Sequence, residues 1–147
     1  MRIGFASDHR GYDLKNKLIK YLEEEGYEIE DCGTFDKEST DYPDYAFKLG
    51  NLVINKDVDF GVAICGSGIG ISIACNKVKG VRCAKVDSVE DVIATRNDND
   101  ANIVAFGEKM PFEKAKEILI TFFNTDASME EKHKRRRNKI KEYEENN

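Results

Sequence analysis

The chain has 147 residues, 40% of them hydrophobic and 35% charged, and carries a formal net charge of -5. That size and balance suit one soluble domain with a proper core, and the negative charge argues against nucleic acid as a partner. No apolar run approaches membrane-span length, and Met1-Arg-Ile-Gly-Phe-Ala leads straight into Asp8-His9 rather than reading as a signal peptide.

Arg2 to Ser7 reads as a short strand, and Asp8-His9-Arg10-Gly11 as the turn after it. Leu14, Leu18, Tyr21 and Leu22 recur at helical spacing, and Gly26 ends that helix as a C-terminal cap. Tyr27 to Asp31 alternates, as a strand with one less covered face does. A polar loop from Cys32 to Asp41 follows. Pro43 suits the first turn of a helix whose apolar face is Tyr45, Ala46, Leu49, Leu52 and Val53.

The next stretch, Phe60-Gly-Val-Ala-Ile-Cys65-Gly66-Ser67-Gly68-Ile69-Gly70, predicts a buried strand, a glycine turn and a helix start. Glycines at alternate positions allow a sharp turn and leave backbone N–H groups uncovered. The first amides of a helix have no internal partner and favour anions, and a cysteine beside them is favoured as thiolate. Two other readings fit this stretch alone. One is a dinucleotide fingerprint, imperfect because the spacing is G-x-G-x-G, with Asp87 as the distant acidic residue. The other is a tight turn with a small core thiol.

Val81 to Val86 reads as a fourth strand, and Ser88-Val-Glu-Asp91 as a capping-box-like start to a helix reaching about Arg96. Asn97 to Asp100 is expected as a polar turn, Ala101 to Phe106 as a fifth strand, and Pro111 to Phe123 as a helix. Strands separated by helices need crossovers, so the fold class is α/β: a three-layer α/β/α Rossmann-like sandwich on a five-stranded parallel sheet. Ligands of such sheets lie beyond the carboxyl ends of the strands. Ser7-Asp8-His9, Cys65 to Gly68 and Asp98-Asn99 fall at those ends, which favours a functional Cys65. Cys32, Cys75 and Cys83 are assigned to packing. With no C-x-x-C spacing, a reduced cytoplasmic setting without disulfides or structural zinc is expected.

The domain is thus drawn at 1–125, with a charged helical tail at 126–147. Lys132, His133 and Arg136 share one helical face with phosphate-clamping spacing, although a merely solvated helix fits the composition too. Glu142 to Asn147 is expected to be mobile.

With these pieces placed, the chain resembles the ribose-5-phosphate isomerase B family, which includes galactose-6-phosphate and allose-6-phosphate isomerases. The motifs are S-D-H-x-G (Ser7 to Gly11), D-Y-P-D-Y (Asp41 to Tyr45), I-C-G-S-G-I-G-I-S-I-A-x-N-K (Ile64 to Lys77), N-D-A-N-I-V-A-F-G (Asn99 to Gly107) and H-x-x-R (His133 to Arg136). The resemblance implies aldose–ketose isomerisation of a sugar phosphate through an enediolate, with ribose 5-phosphate and ribulose 5-phosphate as the leading pair. It implies Cys65 as the base, supported by Ser67, with the Gly66, Ser67, Gly68 and Gly70 amides on the enediolate oxygens. Asp8, Tyr42 and Asn99 would hold the sugar, and His9, Lys109, Lys132, His133 and Arg136 the phosphate. It implies no metal or organic cofactor, and a homodimer or tetramer in which one chain's tail reaches the other's cysteine. In ribose-5-phosphate members a ring-opening His stands where this chain has Asp98. A carboxylate with an ordinary pKa of about 4 matches neutral pH less well than an imidazole near 6.5. That keeps open galactose 6-phosphate, allose 6-phosphate or a tetrose phosphate as substrate, and beyond those a non-catalytic sugar-phosphate-binding domain.

Overall fold

Five strands and six α-helices alternate along a computed structural model that describes residues 1–147. They are β1 Arg2–Ser7, α1 Tyr12–Glu24, β2 Glu28–Asp31, α2 Tyr42–Ile54, β3 Phe60–Cys65, α3 Ile69–Cys75, β4 Cys83–Lys85, α4 Val89–Ala94, β5 Ile103–Gly107, α5 Phe112–Asn124 and α6 Glu131–Glu145. The strands form one all-parallel sheet in the order β2-β1-β3-β5-β4. The chain leaves β1 toward β2 on one side and returns to β3 on the other. The order therefore reverses between β1 and β3, the place where open parallel sheets hold ligands.

The alternation of side chains along each strand decides which helix covers which face. Ile3, Phe5, Ile64, Val104 and Phe106 meet Leu18 and Leu22 of α1 and Ile118, Leu119 and Phe122 of α5 in one core cluster. Ala6, Ala63, Cys65 and Ala105 meet Leu49 and Val53 of α2 and Ile71 and Cys75 of α3 in the other. Each fully buried Leu, Ile or Phe contributes about 1.5–3 kcal/mol of transfer free energy. Cys65 lies on the small-residue side, so the helix that follows it can approach the sheet closely.

Lys15 of α1 is fully buried, with its ammonium 2.7 Å from Asp31 Oδ2. The rings of Tyr12 and Phe35 lie 5.6 and 5.8 Å from the same nitrogen. The other Asp31 oxygen accepts the Gly33 N–H at 2.9 Å. One ion pair thus fastens α1 to the end of β2 and to the start of the long polar loop.

Three elements differ from the sequence expectation. β4 spans only Cys83–Lys85 rather than Val81 to Val86, because it is an edge strand with β5 as its one neighbour. Ser88 does cap α4, its Oγ accepting the Asp91 N–H at 3.1 Å. Instead of a polar turn after it, α4 widens into a π-helical turn, Thr95–Asn99. The buried Arg96 stitches that turn in place by donating to Asp100 Oδ1 (2.7 Å), the Ala101 carbonyl (2.7 Å) and the Thr125 carbonyl (2.8 Å). The acidic end of the chain is helical to Glu145, and both Glu144 carboxylate oxygens accept the Gly80 N–H.

All four cysteines are free thiols. Cys75 is fully buried, and its contact with Cys83, together with burial, pushes the Cys83 thiol well up. Burial, then the nearby Asp31 and Glu30, push the Cys32 thiol from 9.0 up to about 11. The folded chain therefore holds that proton more tightly than the unfolded chain. The stability this gives is complete below pH 9.0 and disappears as pH rises through about 11. Cys32→Ser should accordingly lose less melting temperature than wild type between pH 8 and 10.5. An equal drop in both proteins would show that Cys32 plays no part in alkaline destabilisation.

Candidate active site

The carboxyl ends of β1, β3 and β5 lie side by side, with Ser7 opposite Ile64 and Cys65 opposite Gly107. Beyond them is a hollow of about 460 Å³ lined by Asp8, Arg10, Tyr42, Cys65, Gly66, Ser67, Gly70 and Lys109. Cys65 is only 4% exposed, and its Sγ accepts the Gly68 N–H at 3.2 Å. That bond gives the sulfur a donor when it carries charge. Gly68 can supply it only as glycine: its φ is +80°, and a Cβ would fall 2.6 Å from the Phe106 carbonyl carbon.

The rest of the turn leaves donors free. Ser67 Oγ accepts the Ile69 N–H at 3.1 Å at the start of α3, which leaves its own O–H free to donate. The Gly66, Ser67 and Gly70 N–H groups make no hydrogen bond within the chain. Tyr42 closes the hollow from α2, its ring so near Gly70 that a Cβ there would meet Cζ at 2.6 Å. Asp8 Oδ1 takes the N–H groups of Arg10 (3.0 Å) and Gly11 (3.1 Å), which leaves Oδ2 unused. His9 Nδ1 accepts the Thr40 N–H at 3.2 Å, which places the imidazole proton on Nε2 as a donor. Thr40 is itself tied to the Tyr45 phenol at 3.1 Å, and hydrogen bonds with Thr34 and Thr40 hold that phenol below its ordinary pKa.

A second group of predicted residues lies elsewhere on the chain. Asp98, in the π-helical turn, has Oδ1 3.4 Å from His133 Nε2, and His133 is largely buried. Asn97 Nδ2 donates to the same Asp98 oxygen at 2.7 Å. Arg137 fastens α6 to this turn, donating to the Asp98 carbonyl at 3.3 Å and the Ser128 carbonyl at 2.8 Å. Lys132 and Arg136 stay exposed on α6, with Lys132 3.7 Å from Glu130. Asn99 faces a separate cleft with Ile140 and Glu144. None of Asp98, Asn99, Lys132, His133 and Arg136 lines the Cys65 hollow.

One chain therefore carries two separate sets. The first has a sulfur, free backbone donors, a carboxylate and cations, which suits proton abstraction next to a carbonyl with stabilisation of the oxygen that becomes negative. The second pairs a carboxylate with an imidazole beside exposed cations, which suits proton exchange with a hydroxyl and anion binding. Sequence reading missed Arg10, Glu108 and Thr40. Arg10 stood inside the S-D-H-x-G motif as its unspecified position, whereas the partnership of Arg10 with Glu108 spans 98 residues and leaves no local signal.

Comparison with known proteins is consistent along the whole chain. The Ribose/Galactose Isomerase family pattern matches residues 3–140. Ribose-5-phosphate isomerase B of Escherichia coli (strain K12) is 41% identical over 119 residues, covering 80% of each protein. The solved ribose-5-phosphate isomerase B of Clostridium thermocellum superposes with a TM-score of 0.95 at 41% identity, over 99% of both chains. The type B ribose 5-phosphate isomerase of Trypanosoma cruzi gives 0.94 at 41% identity, over 100% of both.

Proposed function

Because the chain belongs to the ribose/galactose isomerase family, we propose that it interconverts ribose 5-phosphate and ribulose 5-phosphate through an enediolate. Cys65 thiolate takes the proton from C2 as the C1 carbonyl oxygen becomes the enediolate oxygen, then returns it to C1 as C2 becomes the carbonyl, while the proton of the C2 hydroxyl passes to the C1 oxygen. The observation that carries this reading is the Gly68 N–H at 3.2 Å from Cys65 Sγ, beside the unpartnered amides of Gly66, Ser67 and Gly70. Asp8 Oδ2 and Tyr42 hold sugar hydroxyls, and His9 Nε2–H and Lys109 face the phosphate.

The second set of residues belongs to the same reaction in a homodimer. Asp98, with His133 beside it, exchanges the ring-opening proton, Asn99 orients that carboxylate's turn, and Lys132 and Arg136 bring charge to the phosphate. They act on the partner's Cys65, with the tail packed against that partner. Exposed Ile69 and Ile73, a turn apart on α3, support an interface close to the hollow. A cytoplasmic setting suits four free thiols.

A tetrose phosphate or hexose 6-phosphate is the second reading, favoured by the carboxylate at Asp98. Turnover of ribose 5-phosphate followed by NMR tests both. Wild type should isomerise it, and Asp98→His should raise the rate about 3–10-fold by placing a near-neutral acid/base at the ring oxygen. Turnover of a tetrose 4-phosphate alone would move the assignment to that sugar. Inertness toward pentose, tetrose and hexose phosphates alike would remove the isomerase reading.

A further inference from the structure

The proposed chemistry gives no task to Arg10, although its side chain stands in the Cys65 hollow. The guanidinium is clamped: Nε is 2.8 Å from Glu108 Oε2, and Nη2 is 3.4 Å from Oε1. Glu108 is in turn anchored by its own N–H, which donates to the Gly66 carbonyl at 3.2 Å. The Arg10 backbone is fixed through its N–H to Asp8 Oδ1. Both ends of the side chain are therefore held, and the head group rests against the residue that follows the reacting sulfur. A Cβ at Gly66 would fall 2.6 Å from Arg10 Nη1. Nη1 itself has no partner within the chain.

The charges of the hollow make this unused donor informative. Glu108 is neutralised by Arg10, so the lining has Lys109 and the free edge of Arg10 against the single carboxylate Asp8. A guanidinium edge with two open N–H groups suits a phosphate oxygen, with charge-assisted bonds near 2.8 Å in general. We propose that Arg10 is a ligand of the substrate's phosphate, set in position by Glu108, so that the Cys65-bearing chain grips the anion itself through Arg10 and Lys109. This rests on the sugar-phosphate reading of the same hollow.

Titration of the full chain with inorganic phosphate, read by calorimetry, tests the assignment without needing turnover. Arg10→Met should weaken phosphate binding about tenfold, Arg10→Lys should recover part of the loss, and the surface control Lys20→Met should leave it unchanged. Glu108→Gln keeps the cation but frees it, and should weaken binding about threefold. With ribose 5-phosphate, Arg10→Met should raise KM about tenfold with kcat changed less than about threefold. Wild-type phosphate affinity in Arg10→Met would overturn the inference. So would a fall in kcat with KM and phosphate affinity intact, which would place Arg10 on the enediolate instead. No phosphate binding by wild type would overturn it too. If Arg10→Met does not fold, the Arg10→Lys and Glu108→Gln affinities decide. A wild type that binds phosphate through Arg10 yet isomerises no sugar would sink the isomerase reading and leave this one standing.

Discussion

Cys65→Ala is expected to lower kcat by at least about a thousandfold if Cys65 is the base proposed above, since the alanine leaves the Gly68 N–H and the free turn amides with no lone pair beside them to take the proton. The fold should survive. The change removes one sulfur and its bond from the Gly68 N–H, a loss of about 1 kcal/mol in a site that otherwise keeps its packing. Cys65→Ser separates the two roles of the sulfur. Its hydroxyl can still accept from Gly68, so it should melt closer to wild type than the alanine variant does, yet it cannot serve as a base at neutral pH. Rates from NMR and melting curves from circular dichroism give both quantities. Retention of more than about a tenth of the wild-type rate by either variant would mean that another group moves the proton.

The second large effect comes from mixing two dead proteins. Cys65→Ala chains keep the tail, whereas Lys132→Met/His133→Ala/Arg136→Met chains keep the sulfur. In a twofold dimer whose sites each take a cysteine from one chain and a tail from the other, every mixed dimer has one intact site. Equal amounts, refolded together, should therefore recover about a quarter of wild-type activity. The expectation follows from the placement of the groups. α6 is tied to its own π-helical turn through Arg137, and none of its predicted residues reaches its own Cys65 hollow. Mixed dimers that stay inactive, verified by mass spectrometry, would place both halves of the site on one chain.

The sheet was legible because its signals are local. Apolar runs of strand length, helical stripes and glycine punctuation recur five times, and parallel pairing follows from the crossovers. The placement of Cys65 at the end of β3 was legible for the same reason, since a strand, a glycine turn and a helix start lie within a dozen residues. What stayed hidden depends on distance along the chain. Asp98 meets His133 across 35 residues only because the π-helical turn and α6 pack together, and periodicity cannot register such a turn. Glu144 meets Gly80 across 64 residues, so an end that composition reads as loose is held. Arg10 looked like a spacer because its meaning lies in Glu108, on the far side of β3.

The face of α3 carries a kinetic consequence. Ile69 and Ile73 leave 55% and 56% of their surface in solvent, only a few residues past the sulfur. If a second copy covers them and completes the site, a solitary chain is silent however well it folds. In dilute solution the rate then grows with the square of the amount of protein rather than in proportion to it. Specific activity becomes a gauge of how crowded the chains are, and a cell making very little of this protein would have almost none of its activity.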